Sequence, residues 1–214
     1  MMPQISIIMP AFNEGAGIRA AIDEVRKALL NKTSGAELIV VDDGSTDDTA
    51  ALVRAEVMSD SRIRLISQHN QGHGAALNAG VAASSAGVIM VVDADQPIAL
   101  GQMQPWLERV VSGDVGAVMA HRQRRNDGAG RAVLSFGLSC ALFMRFGRWV
   151  GDANVPCKIL PRGAWVPSAA VPSAITAIRL QAVRVPVKMR DTGAGASGRV
   201  LWRTALGALR AIYS

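Results

Sequence analysis

Acidic residues at the ends of short apolar runs carry most of the chemistry this sequence can do. Asp93-Ala94-Asp95 follows the run Val88–Val92. Side chains alternate along a strand, so two acids at i and i+2 at a strand end can point the same way. Hard oxygen ligands suit Mg²⁺ or Mn²⁺, which keep several waters and need only one or two protein carboxylates beside the substrate's own phosphates. A second acidic stretch, Asp42-Asp43-Gly44-Ser45-Thr46-Asp47, follows an apolar run at 38–41. An Asx turn and helix cap account for Ser45 and Asp47 but do not need both Asp42 and Asp43, one of which can accept a hydrogen bond from a base or ribose.

Two further turns complete the pattern. The run at 5–9 leads into Pro10-Ala11-Phe12-Asn13-Glu14, which stops the strand and exposes polar groups. The segment 69–80, His69-Asn70-Gln71-Gly72-His73-Gly74-Ala75-Ala76-Leu77-Asn78-Ala79-Gly80, is a glycine-bearing turn that lets backbone amides approach a phosphate or ribose. It lacks the glycine spacings of dinucleotide-binding and P-loop motifs.

These turns need strands and helices to position them. Runs 5–9, 38–41, 88–92 and 184–189 read as strands, and apolar spacing predicts helices over 14–30, 47–57, 75–83 and 102–111. Ser45, Thr46 and Asp47 are cap candidates for the second of these. The alternation predicts an α/β, Rossmann-like doubly wound sheet, mostly parallel and flanked by helices, with ligands at the carboxyl ends of its strands.

The chain of 214 residues is half hydrophobic and fits one domain. The net charge of +6 divides unevenly: residues 1–95 hold 7 basic and 12 acidic groups, whereas 96–214 hold 16 and 5. Such a split suits a metal in the acidic half and phosphates or an anionic lipid surface in the basic half. Only 4% of residues are aromatic and no recognition-helix pattern appears, which speaks against nucleic acid as a partner. Cys140 and Cys157 lack CxxC or histidine company, so neither a disulfide framework nor a zinc site is expected, and a reducing cytoplasmic setting fits. Neither a signal peptide nor a spanning helix is expected.

The pieces P-A-F-N-E, V-D-D-G-S-T-D, N-Q-G-H-G-A-A-L-N-A-G and V-V-D-A-D, in this order and spacing, resemble the inverting family 2 glycosyltransferases of the GT-A fold. The resemblance covers roughly residues 5–97. It implies a nucleotide-sugar site of Pro10, Ala11, Asn13, Glu14, Asp42 or Asp43, Gly72, His73, Asn78, Asp93 and Ala94, with Asp93 and Asp95 addressing the diphosphate and metal. The later part is similar to the polyprenyl-phosphate branch, which includes dolichyl-phosphate mannose synthases, and implies Arg122, Arg131 and Ser135 as holders of an acceptor phosphate. Residues 152–158 stand where that branch carries a D…GF(K/R)-like segment, and Val185-Pro186-Val187 resembles its E-V-P-V strand. His73 replaces the loop lysine frequent in that family, Arg184 replaces the glutamate before V-P-V, and D-A-D-L-Q is shortened here, which leaves Gln96 without a clear metal role.

A polyprenyl phosphate is already anionic and needs cations to aim it, whereas a hydroxyl acceptor needs a general base, for which Asp152 is the candidate. A non-catalytic nucleotide-sugar-binding relative assisting a membrane-protein partner is a third reading. Donor identity, GDP- or UDP-linked, stays open. Arg124 and Arg125 read as a solvated loop. The uncharged run 132–144 suits either a core or an interfacial helix. Residues 198–214 form a basic amphipathic stretch beyond a domain spanning 1–197, suited to the inner face of a membrane or to packing on the domain.

Overall fold

The strands at 5–11 and 36–42 set the architecture, because every residue in both is buried and a strand buried on both faces must sit inside a sheet covered on both sides. The computed structural model describes residues 4–95, 98–122, 157–168 and 172–188, together with 140, 143, 144 and 147. Strands β1 (Ile5–Ala11), β2 (Ala36–Asp42), β3 (Ile63–Ser67) and β4 (Val88–Val92) pair in parallel. Strand β6 (Cys157–Pro161) runs antiparallel between β4 and β5 (Val118–Arg122), and β7 (Val183–Val187) pairs in parallel with β5. The seven-stranded order is β3-β2-β1-β4-β6-β5-β7.

Side chains of the central strands divide between two cores with period two. Ile5, Ile7, Met9, Leu38, Val40, Met90 and Val92 pack with α1 (Ile18–Val25), α2 (Thr49–Ser59) and α4 (Gln104–Val111). Ile8, Ile39, Val41, Ile89 and Val91 pack with α3 (His73–Ala83) and α5 (Pro172–Arg179). The sheet and its flanking helices thus match the expected α/β arrangement.

Three strands and α5 add to the sequence reading. The helix expected over 14–30 begins at Ile18 and ends in a π-helical turn, Arg26–Leu30, which leaves residues 13–16 as a turn at the strand ends. Arg26 binds Asp23, Glu56 (2.7 Å) and Asp60 (3.3 Å), and Arg62 also binds Asp60 (2.8 Å), so ion pairs tie α1 to α2 and β3. The Arg62 guanidinium, opposed by burial, holds the Asp60 carboxyl well below the usual carboxylate range. A depressed folded value stabilises the fold above the unfolded carboxylate value, about 4, and that contribution fades as pH falls below it. Asp60→Asn is therefore expected to lower stability at pH 7 and to shrink the loss of stability between pH 5 and 3, followed by urea unfolding across that range.

Gly80 lets α3 lie directly on the sheet. A Cβ there would stand 2.5 Å from Ile8 Cγ2 and 3.1 Å from Val41 Cγ2, both on stiff β-branched side chains in central strands. Gly80→Ala is expected to cost about 2 kcal/mol and to lower Tm by about 6 °C in a thermal melt. An unchanged melt would mean that α3 is not seated this closely.

Candidate active site at the carboxyl rim of the sheet

The order β2-β1-β4 brings Asp42, Ala11 and Val92 to one rim, so the turns that follow them meet. Asn13, in the left-handed region at φ 57°, donates its N–H to Ser45 Oγ (2.9 Å) and accepts from Thr46 N (2.8 Å) through Oδ1. Glu14 N donates to Thr49 Oγ1 (2.8 Å) and Gly15 N to Asp47 Oδ2 (2.9 Å). Hydrogen bonds from the Thr49 hydroxyl, then from the Thr49 and Gly15 amides, hold the Asp47 carboxyl below its ordinary value. Ser45, Thr46 and Asp47 therefore fasten the turn after β2 to the turn after β1; Asp48 takes the N-cap position without a side-chain bond, while Asp47 Oδ1 accepts the N–H of Thr49, the first residue of α2 (3.0 Å). The Asn13 side chain joins this fastening.

Asp42 and Asp43 are both 4% exposed. Asp42 accepts Ser45 N–H (3.1 Å). Asp43 takes Gln68 Nε2 (2.7 Å) and Gln71 N (2.9 Å) on Oδ1 and Gly72 N (2.8 Å) on Oδ2. Its carboxylate thereby fixes the glycine turn. Gly72, at φ 90°, then starts α3, whose first residue is His73. The His73 imidazole is solvent-exposed. Desolvation by the surrounding protein, followed by the charge of Lys158, pushes its pKa down to about 4, so it is neutral at pH 7. Asn78 faces elsewhere: its amide accepts Trp165 Nε1 (3.1 Å) and donates to Ser168 O (3.1 Å), bridging α3 to the segment after β6.

After β4 the chain turns through Asp93, partly buried, Ala94, buried, and Asp95, exposed. Burial, then the charges of Asp95 and Asp47, raise the Glu14 carboxyl above its ordinary value. Glu14 and Asp95 thus repel across the rim between the β1 and β4 turns, and a cation there would relieve that repulsion. No group of three or more His, Cys, Asp or Glu side chains converges on a metal position among the described residues. Asp93 and Asp95 are hard oxygen donors of the kind that suit an ion taking one or two carboxylates and completing its shell with phosphate and water. Farther along, Leu100 N donates to Glu24 Oε1 (2.8 Å), and the Gln102 amide accepts Lys188 N (3.1 Å) and donates to Lys188 O (3.4 Å).

Arg122 closes β5 opposite Val187 on the same rim. Gln96, Arg131, Ser135, Asp152 and residues 198–214 lie outside the described residues. Phe12, 45% exposed beside Asn13, is a rim residue that sequence reasoning passed over. An aromatic directly after a central apolar run is the signal the sequence offers. Lys158 ends the motif-like segment 152–158, and its burial, only 3% exposed, has no local sequence signal.

A model of glycosyl transferase family 2 matches residues 6–155. The chain belongs to that family. A dolichyl-phosphate beta-glucosyltransferase of Dictyostelium discoideum is 31% identical to this glycosyltransferase family member over 134 residues, 58% of the chain and 41% of that relative. The chain likewise covers less than half the length of other curated relatives it matches. Glucosyl-3-phosphoglycerate synthase from Mycobacterium tuberculosis, solved with Mn²⁺, UDP and glucosyl-3-phosphoglycerate, is similar with a TM-score of 0.65 and 25% identity, covering 97% of this chain and 80% of that one. The mannosyltransferase PcManGT from Pyrobaculum calidifontis shares the fold at a TM-score of 0.67 and 19% identity, covering 96% and 61%. The GT-A assignment of this family 2 chain therefore agrees with the sheet order and with solved neighbours.

Proposed function

We propose that the protein transfers a hexose, with inversion, from a nucleoside-diphosphate sugar to a polyprenyl phosphate. The observation that carries the reading is that Asp93 and Asp95 after β4, and the Asp43-held turn at Gly72 and His73, follow strand ends on one rim of the sheet. In this reading Asp42 and Phe12 serve the base, Pro10, Ala11, Asn13 and Glu14 shape the nucleotide pocket, and Gly72 and His73 meet the diphosphate and sugar. Asp93 and Asp95 would hold a Mg²⁺ or Mn²⁺ ion, which would supply positive charge against that of the leaving diphosphate. The relative solved with Mn²⁺ and UDP supports this choice of partners.

In the transfer, an acceptor phosphate oxygen forms a bond to the anomeric carbon as the bond from that carbon to the diphosphate oxygen breaks. An anionic phosphate attacks without losing a proton, so the protein must bind and aim it, and Arg122, Arg131 and Ser135 take that task. The likeness to a relative named for a dolichyl-phosphate acceptor supports a lipid acceptor. Asp152 would matter as base only for a hydroxyl acceptor. Phe143 and Met144, both exposed, together with the basic amphipathic residues 198–214, support contact with an anionic membrane surface at the cytoplasmic face, peripherally or through a membrane-protein partner. Among the described residues no helix is long and apolar enough to cross a membrane.

The test is incubation of the full chain with UDP- and GDP-hexoses, polyprenyl phosphate and Mg²⁺ or Mn²⁺. The expected product is a chelator-sensitive glycosyl phospholipid of inverted anomeric configuration. Transfer only to soluble sugars would overturn the lipid acceptor, and donor binding without any transfer would favour a non-catalytic relative.

A further inference from the structure

A lysine in the interior of a sheet is costly, because an ammonium loses its hydration there unless its surroundings are negative. Lys158 is such a residue, 3% exposed in β6. Its register places it opposite Val91 of β4 and Met119 of β5. The next pair toward the rim is Cys157 with Val92, after which β4 turns into Asp93. Val91 and Met119 belong to the core beneath α3, whereas Cys157 and Ile159 belong to the opposite core, so alternation directs Lys158 to the α3 side. The lysine therefore lies one residue inside the rim, between the end of β4 and the start of α3.

Its charge reaches both. The Cys157 thiol is raised chiefly by burial, with Lys158 pulling it down and Asp93 pushing it up, and His73 is held neutral partly by Lys158. Lys158, Asp93 and His73 thus share one electrostatic neighbourhood. His73 also stands where the turn could have carried a cation, and being neutral it supplies none at pH 7.

We propose that Lys158 is the fixed cation of the donor site, a positioning residue whose buried ammonium sets a positive potential beneath the donor's diphosphate without touching solvent. The proposal rests on the nucleotide-sugar reading above. Within a low-dielectric sheet a charge acts over several ångströms with little screening, so burial strengthens its effect on a ligand seated above it. An arginine or lysine on an open loop would lose much of that effect to water.

The experiment compares wild type, Lys158→Met and Lys158→Arg, binding nucleoside and nucleoside diphosphate separately by calorimetry with Mn²⁺ present. Wild-type affinity for uridine or guanosine diphosphate tests the nucleotide-sugar reading itself. If that holds, Lys158→Met should weaken the diphosphate by about tenfold and leave the nucleoside within about twofold. Methionine matches the stem of lysine and removes the charge; because removing one side of a buried interaction lowers stability, a thermal melt of the variant accompanies the binding measurement. Lys158→Arg keeps the charge and should retain diphosphate affinity within about threefold. Equal weakening of nucleoside and diphosphate, or an unchanged diphosphate affinity in folded Lys158→Met, overturns the proposal. If the methionine variant does not fold, a folded arginine variant that loses diphosphate affinity about tenfold overturns it as well.

Discussion

Asp95→Ala is expected to reduce sugar transfer by about a thousandfold, on the scale of several kcal/mol that a metal contributes to a developing charge. Asp95 is the exposed acid of the β4 turn, and its charge reaches Glu14 across the rim. Removing it should also weaken Mn²⁺ in the presence of nucleoside diphosphate, which is measurable by electron paramagnetic resonance without turnover. Loss of the Asp95 charge also lowers the Glu14 carboxyl toward its ordinary value, since one of its repulsive neighbours is gone. Arg54→Ala, on the exposed side of α2, serves as the control and should leave the rate within about twofold. Equal loss in the two variants would show that Asp95 has no special place in the reaction.

The second large effect is expected at Gly44. Its φ of 76° lies in the left-handed region, which costs an alanine about 1 kcal/mol. A Cβ would also stand 2.7 Å from Asn70 N and 3.2 Å from Gln68 O, both backbone atoms that cannot swing aside. Gly44→Ala should therefore lose about 3 kcal/mol and about 8 °C in Tm. Because Asp43 binds residues 68–72, pushing that turn away should also weaken nucleoside diphosphate binding, by about tenfold in calorimetry. Gly72→Ala is the matched comparison: φ is 90°, but nothing lies within 4 Å of the added carbon. It should show backbone strain without a clash, about 2 kcal/mol, because φ 90° with ψ 163° is a conformation that essentially only glycine adopts. The same loss at both positions would mean that the contact with Asn70 yields easily.

The central strands were legible because β1, β2 and β4 are buried apolar runs whose ends carry the site residues. Strand β3 was not, since Arg64 interrupts it, and that arginine is explained only by the fold, where it binds Glu37 (3.1 Å) and Ala83 O (3.1 Å). Strand β6 carries Lys158, a residue no local pattern would assign to a sheet interior. The acids at the rim were legible by position, but their division of labour was not. Asp43 is committed to Gln68, Gln71 and Gly72, which lie 25 to 29 residues away in sequence. Asn78 looked like a ligand group beside the glycine turn, yet its partners Trp165 and Ser168 lie 87 and 90 residues away. Such distant pairings leave no periodicity, so only the folded chain reveals them.

The reversed direction of β6 bears on how acceptor choice can change. Strand β5 ends at Arg122 and β6 begins beside the end of β4, so the chain leaves the sheet at the carboxyl rim and rejoins it at that same rim. Residues 123–156, which include Arg131, Ser135 and Asp152, connect two points on that rim, the end of β5 and the start of β6. Sequence changes confined to that connection alter neither the residues of the sheet ladders nor the two carboxylates of the β4 turn. A single scaffold can in this way keep one donor chemistry and exchange the molecule that receives the sugar.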